Sequence, residues 1–286
     1  MASFKQIKFF VESKGVRGLL EKDEFLRSYR QLLDGGRTVH SYDRKFGELN
    51  ALVRTNSASP KVAVCVLHGF GANMENLSPF SDVCERVIGA SAEWVCIIPN
   101  GGLDLGGGSR AWWMIDLQRL QAKIMNLQFS EITKDVPAGL DVARSRVLDL
   151  MQEASTAYSL PPDAWSVCGF SQGGMLTGDL LVHMEPPPNV AGLFSAALIC
   201  EDLWTEQISK KPLEARERLK KCAIVQSHGT TDMVVPVIAG HWMRDYWQKQ
   251  GLKVDFDQFN GPHAVGPGAV DKFFAKVLEA DRAKTR

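Results

Sequence analysis

Trp165-Ser166-Val167-Cys168-Gly169-Phe170-Ser171-Gln172-Gly173-Gly174-Met175-Leu176 is the stretch that decides how this chain is read. Its first four residues form a short apolar run of the kind that makes a buried strand. From Gly173 to Met184 apolar side chains recur at three and four spacings, which predicts a helix. Between the two lies the pattern G-x-S-x-G. A strand that turns sharply into a helix holds the central serine in a strained conformation, exposed above the sheet. Glycine is needed on both sides, because a side chain there would collide with the neighbouring strand or helix. The helix N-terminus adds positive partial charge beside the hydroxyl. Ser171 is therefore a candidate nucleophile, with a purely structural turn as the bland alternative.

Working outward, further short apolar runs occur at Val62–Leu67, Trp94–Ile98, Leu193–Cys200 and Ala223–Val225, and Lys253–Phe259 alternates as an edge strand would. Helical spacing marks Ser78–Ile88, Ala138–Ala154, Val237–Gln250 and Ala269–Ala280. Strand and helix in alternation predict an α/β fold with a mostly parallel sheet buried on both faces. Thr38–Tyr42 and Phe46–Val53 read as an antiparallel hairpin turning at Asp43-Arg44-Lys45. Residues 1–36 read as an accessory N-terminal helical segment with Phe25, Leu26, Tyr29, Leu32 and Leu33 on one stripe, ended by Gly35-Gly36. The remainder, 37–286, reads as one domain. Within it, about 101–134 is too long for an ordinary connection and suggests a lid or binding loop. It opens on a Gly-rich stretch, Gly101–Gly108, that matches no phosphate-binding pattern and reads as a flexible loop. Leu117, Leu120, Ile124, Leu127 and Phe129 make either a lid stripe or an ordinary packed helix face.

A serine hydroxyl is a weak nucleophile until a base takes its proton. Of the six histidines, His40 lies in the hairpin, His183 and His241 lie in helices, and His68 and His228 precede glycines at strand ends, where structural roles are expected. His263, in Asn260-Gly261-Pro262-His263, follows the last strand, from which a loop can reach the nucleophile. The base in turn needs a carboxylate to fix its tautomer. Asp232 follows the penultimate strand and is favoured by position over Glu201 and Asp202. The order Ser…Asp…His suits this strand arrangement. Oxyanion donors are expected from the backbone N–H of Gln172 and from Leu67-His68-Gly69-Phe70-Gly71, with Phe70 the candidate.

The strings LHGFGAN, GFSQGGM, SHGTTDMVVP and GPHAVGPG, in this order, resemble the phospholipase/carboxylesterase family of α/β-hydrolases, which includes the acyl-protein thioesterases. The resemblance runs from about Phe46 to Leu278. It implies an α/β-hydrolase fold and metal-independent cleavage of esters or thioesters, with Ser171, Asp232 and His263 at the triad positions and Phe70 and Gln172 as oxyanion donors. Arg110-Ala111-Trp112-Trp113 with Asp116 resembles the segment lining the acyl side, so Trp112 and Trp113, with Met175, are candidate substrate contacts, and simple core packing is the alternative reading of the two tryptophans. Pro262 stands where the family usually has glycine, and Leu117–Phe129 is longer than in the small thioesterases.

Bulk composition narrows the class. The 33 basic and 33 acidic residues cancel, and no like-charged run appears, so no nucleic-acid partner is expected. No apolar stretch approaches the roughly 20 residues that span a bilayer, and the first residues lack a secretory leader, so a cytoplasmic protein without stable membrane insertion is expected. The six cysteines have no CxxC pair and read as reduced structural thiols. No cofactor is expected, and no His/Cys/Asp cluster has metal-ligand spacing, so no metal is expected either. The expected partner is a small acyl ester or thioester. Two other readings stay open: the same triad on a polyester, lactone or peptide, and a binding protein that keeps the fold without catalysis.

Overall fold

Alternate residues of a single strand establish how the sheet is covered. In the computed structural model, which describes residues 38–116, 123 and 129–284, strand β3 (Val62–Leu67) is buried along its whole length. Its Ala63, Cys65 and Leu67 point into one hydrophobic core, and Val62, Val64 and Val66 into another. Side chains alternate across a strand, so two cores mean helices on both faces.

Among the described residues the sheet has eight strands, in the order β1-β2-β4-β3-β7-β8-β9-β10. β1 (His40–Phe46) and β2 (Leu49–Thr55) are antiparallel, and β2 pairs antiparallel with β4 (Trp94–Pro99). From β4 onward through β3, β7 (Trp165–Phe170), β8 (Val190–Phe194), β9 (Ala223–Gly229) and β10 (Lys253–Phe259), every pairing is parallel. Helices α1 (Ser78–Val87) and α8 (Ala269–Lys284) supply Phe80, Cys84, Phe273, Phe274 and Val277 to one core. The opposite core takes residues from α3 (Leu140–Tyr158), α4 (Gln172–His183), α5 (Glu201–Lys210) and α7 (Val237–Lys249). Two further short helices are α2 (Phe129–Lys134) and α6 (Leu213–Leu219). None of these helices is long and apolar enough to cross a membrane.

Three boundaries differ from the expectations. β1 runs straight through Asp43-Arg44-Lys45, and the hairpin turns at Gly47-Glu48 instead. Those charged residues are exposed on an outermost strand, where charge protects an edge from pairing with another chain. Arg44 also lies over the rings of Phe46 and Tyr158, at 4.8 and 5.7 Å. β8 stops at Phe194, because Ser195 takes a left-handed conformation with φ 47° and turns the apolar run out of the sheet. The Gly-rich stretch contains an ordered hairpin, β5 (Leu103–Gly106) with β6 (Ser109–Ala111). Residues 1–36 and the apolar stripe from Leu117 to Phe129 fall outside what the structure describes of side chains.

Candidate active site

Ser171 stands between β7 and α4 with φ 52° and ψ −117°, a backbone conformation costly for any side chain. Close packing holds it there. A Cβ on Gly169 would come within 2.2 Å of the Gly173 carbonyl, and one on Gly173 within 2.1 Å of the Leu67 carbonyl oxygen. The Ser171 N–H donates to the Phe194 carbonyl at 2.8 Å, and the Ser171 carbonyl accepts from the Met175 N–H at 3.0 Å. The residue is fastened at both ends and is half-buried as a whole.

The structure brings His263 to this hydroxyl. Its Nε2 lies 2.9 Å from Ser171 Oγ, and its Nδ1 lies 2.6 Å from Asp232 Oδ2. Asp232 is buried, and its other oxygen accepts the N–H groups of Val234 and Val235 at 2.9 and 2.8 Å. A buried carboxylate needs such donors. With an acceptor at Nδ1, the imidazole is held as the tautomer whose Nε2 can receive the serine proton.

The loops carrying these two residues are joined to each other. The Thr230 N–H donates to Phe259 and the Thr231 N–H to Gly261, at 2.9 and 3.0 Å. The remaining candidate acids lie elsewhere: Glu201 accepts from the Thr133 hydroxyl and Asp202 lies 3.5 Å from Lys134 Nζ. His228 is buried beside Asp232, its Nε2 2.7 Å from the Val235 carbonyl and 3.4 Å from Asp232 Oδ2, and burial lowers its pKa.

The 68–72 loop runs next to the elbow formed where β7 turns into α4, since a Cβ on Gly69 would meet Phe170 at 3.1 Å and Ser171 at 3.3 Å. His68 is buried. Its Nδ1 donates to the Gly69 carbonyl at 2.7 Å, and its Nε2 accepts the Gly101 N–H at 2.8 Å. Burial pushes its pKa down to about 4, which keeps the accepting nitrogen unprotonated. The Gly69–Phe70 peptide is planar, so fixing its carbonyl fixes the direction of the Phe70 N–H. Among the described residues, that N–H makes none of the backbone hydrogen bonds of the loop. Gln172 is the first residue of α4, where an N–H has no acceptor within the helix.

Trp112 and Trp113 are each only 3% exposed and belong to the main core. The Trp112 indole N–H donates to the His68 carbonyl at 2.8 Å, so this ring holds the loop in place as well as filling space. Met175 is half-buried against the same core. Three contributors were missed in the sequence: the Gln172 side chain, Ser195, and the hairpin around Arg110. Alternation on either side of Gly106-Gly107-Gly108 was the available signal for the hairpin.

Comparison with known proteins decides the family. Residues 49–277 match the family model described as Phospholipase/Carboxylesterase. The chain belongs to the phospholipase/carboxylesterase family. This is a family of hydrolytic enzymes. A protein of Oryza sativa subsp. japonica named a probable carboxylesterase is 36% identical over 114 residues, which is 39% of each chain; that match spans about two fifths of the relative's length. Acyl-protein thioesterase 1 of Kluyveromyces lactis is 24% identical over 218 residues, covering 73% of this chain and 86% of that one. Among solved structures, esterase PE8 superposes with a TM-score of 0.62 at 21% identity, over 78% of this chain and 94% of its own. The Bacillus cereus carboxylesterase gives 0.58 at 15% identity, over 87% and 98%. Both share the α/β-hydrolase fold with this family member.

Proposed function

We propose that the protein is a serine hydrolase that cleaves carboxylic esters or thioesters through an acyl-enzyme at Ser171. The observation that carries the reading is the unbroken hydrogen-bonded line from Asp232 through His263 to Ser171, at 2.6 and 2.9 Å. Family membership and the strained serine at the head of α4 support it.

In the first half-reaction His263 Nε2 takes the Ser171 proton as Oγ bonds to the substrate carbonyl carbon. The carbonyl π pair moves onto oxygen, and the N–H groups of Gln172 and Phe70 hold the resulting oxyanion. When that pair returns, the bond to the alcohol or thiol breaks, and the imidazolium protonates the leaving group. In the second half-reaction His263 deprotonates a water, which attacks the acyl carbon. Collapse releases the acid and returns the proton to Ser171. Asp232 stabilises the imidazolium without itself taking a proton.

The test is Ser171→Ala assayed on p-nitrophenyl esters of increasing chain length and on acyl-CoA thioesters. Turnover should fall by several orders of magnitude in a protein that stays folded. A fluorophosphonate probe should label Ser171 in the wild type. Wild-type turnover persisting in the alanine variant refutes the mechanism. An unlabelled, inactive wild type points to a binding protein on the same fold.

A further inference from the structure

The Gln172 side chain makes contacts that the proposed chemistry does not use. It is fully buried and is engaged apart from the backbone N–H proposed as an oxyanion donor. Its Oε1 accepts the Trp112 N–H at 3.0 Å, and its Nε2 donates to the Trp113 carbonyl at 2.8 Å. One partner is a donor and the other an acceptor, so the amide has one orientation that satisfies both.

The segment it grips also holds the other proposed donor. Arg110, two residues before Trp112, exchanges two backbone bonds with the oxyanion loop. Its carbonyl accepts the Gly71 N–H at 2.8 Å, and its N–H donates to the Ala72 carbonyl at 2.9 Å. The Trp112 indole bonds the His68 carbonyl, and the Gly101 N–H bonds the His68 ring. Gly101 packs so closely on this strand that a Cβ there would lie 2.5 Å from the Ala111 carbonyl oxygen. Residues 101–113 thus form a bracket, with the 68–72 loop on one side and the head of α4 on the other.

We infer that the Gln172 side chain is a positioning residue of the oxyanion hole, fixing the spacing between its own N–H and that of Phe70 through the 110–113 segment. This rests on the serine-hydrolase reading above. Two donors on separate loops stabilise one oxygen atom only if their separation is held, and a misplacement of about 1 Å can cost about 100-fold in rate.

The variant Gln172→Met keeps the length of the side chain and removes both bonds. Its kcat on a p-nitrophenyl ester should fall about 100-fold while KM stays within about threefold and the pH profile of kcat/KM keeps its inflection. Affinity for a trifluoromethyl ketone, which forms an oxyanion on Ser171, should fall by a similar factor. Affinity for the matching secondary alcohol, which forms none, should hold. A folded Gln172→Met variant with kcat within about threefold of wild type, or a loss carried by KM, overturns the inference. So does an equal loss of affinity for both analogues.

Gln172→Glu guards against misfolding of the methionine variant. Its acid form can make both bonds, whereas its ionised form loses the donor to Trp113. The kcat profile should therefore gain a descending limb that the wild type lacks, worth about tenfold or more. A kcat that stays at the wild-type level with no such limb up to about pH 10 also overturns the inference. If the wild type neither turns over ester nor reacts with fluorophosphonate, the hydrolase reading fails, a result distinct from these.

Discussion

The hydroxyl of Ser195 donates to the carbonyl oxygen of Ala264 at 2.7 Å, one residue beyond His263. Ser195 closes β8 in a left-handed conformation, is fully buried, and has its N–H on the Ser227 carbonyl at 2.8 Å. The end of one core strand thereby holds the loop that carries His263. Ser195→Ala should leave the Ala264 carbonyl without this partner, at a cost of about 1 to 3 kcal/mol. Urea unfolding should read that loss as a lower midpoint with unchanged slope. Esterase kcat should fall by about tenfold, because the imidazole is held less firmly.

The fold was legible where periodicity is strong and obscured where exposure breaks it. Val62–Leu67 and Trp165–Cys168 are continuous apolar runs because both faces of those strands are covered. Asp43-Arg44-Lys45 looked like a turn because an edge strand needs no apolar face. The apolar residues after Phe194 suggested a longer strand, yet Ser195 leaves the sheet there, a backbone event that periodicity does not register. The meeting of Ser171, His263 and Asp232 could be read from their places after three strands, because successive strand ends of a parallel sheet lie along one edge. The Gln172 amide was not, since its partners are backbone groups of a segment whose hairpin is disguised by glycine.

Asp232→Asn tests the orienting role of the carboxylate separately from its packing. Asparagine is close to isosteric, and its carbonyl oxygen can still accept the Val234 and Val235 N–H groups. Its amide then presents N–H to His263 Nδ1, which must become an acceptor, so Nε2 carries the proton and cannot receive another. At neutral pH kcat should fall by about 10⁴-fold. Thermal melting should place Tm within a few degrees of wild type. A fall of less than about tenfold would show that His263 does not depend on this partner.

Two glycines near the site should respond differently to alanine. A Cβ on Gly173 would lie 2.1 Å from the Leu67 carbonyl oxygen and 2.6 Å from that of His68. Both are backbone atoms of a buried strand end, so α4 must move and carry Ser171 with it. Gly173→Ala should cost several kcal/mol, about 3 or more, and abolish turnover. Gly71 has open space around its Cβ position but a φ of +79°. Gly71→Ala meets only backbone strain, about 1 kcal/mol. Denaturant unfolding of the two variants should give that order, and the reverse would contradict the close packing of the elbow against β3.

Buried His68 should make the protein lose stability on mild acidification. Desolvation holds its pKa at about 4 against the ordinary 6.5. Above pH 6.5 the ring is neutral in both folded and unfolded chains and adds no pH dependence. Below that value the unfolded chain takes up a proton that the folded one refuses, so stability falls until about pH 4 and then levels off. The full effect is at most about 3 kcal/mol. His228, lowered by burial as well, acts with the same sign. Urea midpoints measured at intervals from pH 7.5 to pH 4 should show this decline. The decline should be shallower in His68→Asn, which has no titrating ring. Equal slopes in the two proteins would mean that His68 takes a proton as readily folded as unfolded, which its bond from the Gly101 N–H to Nε2 does not permit.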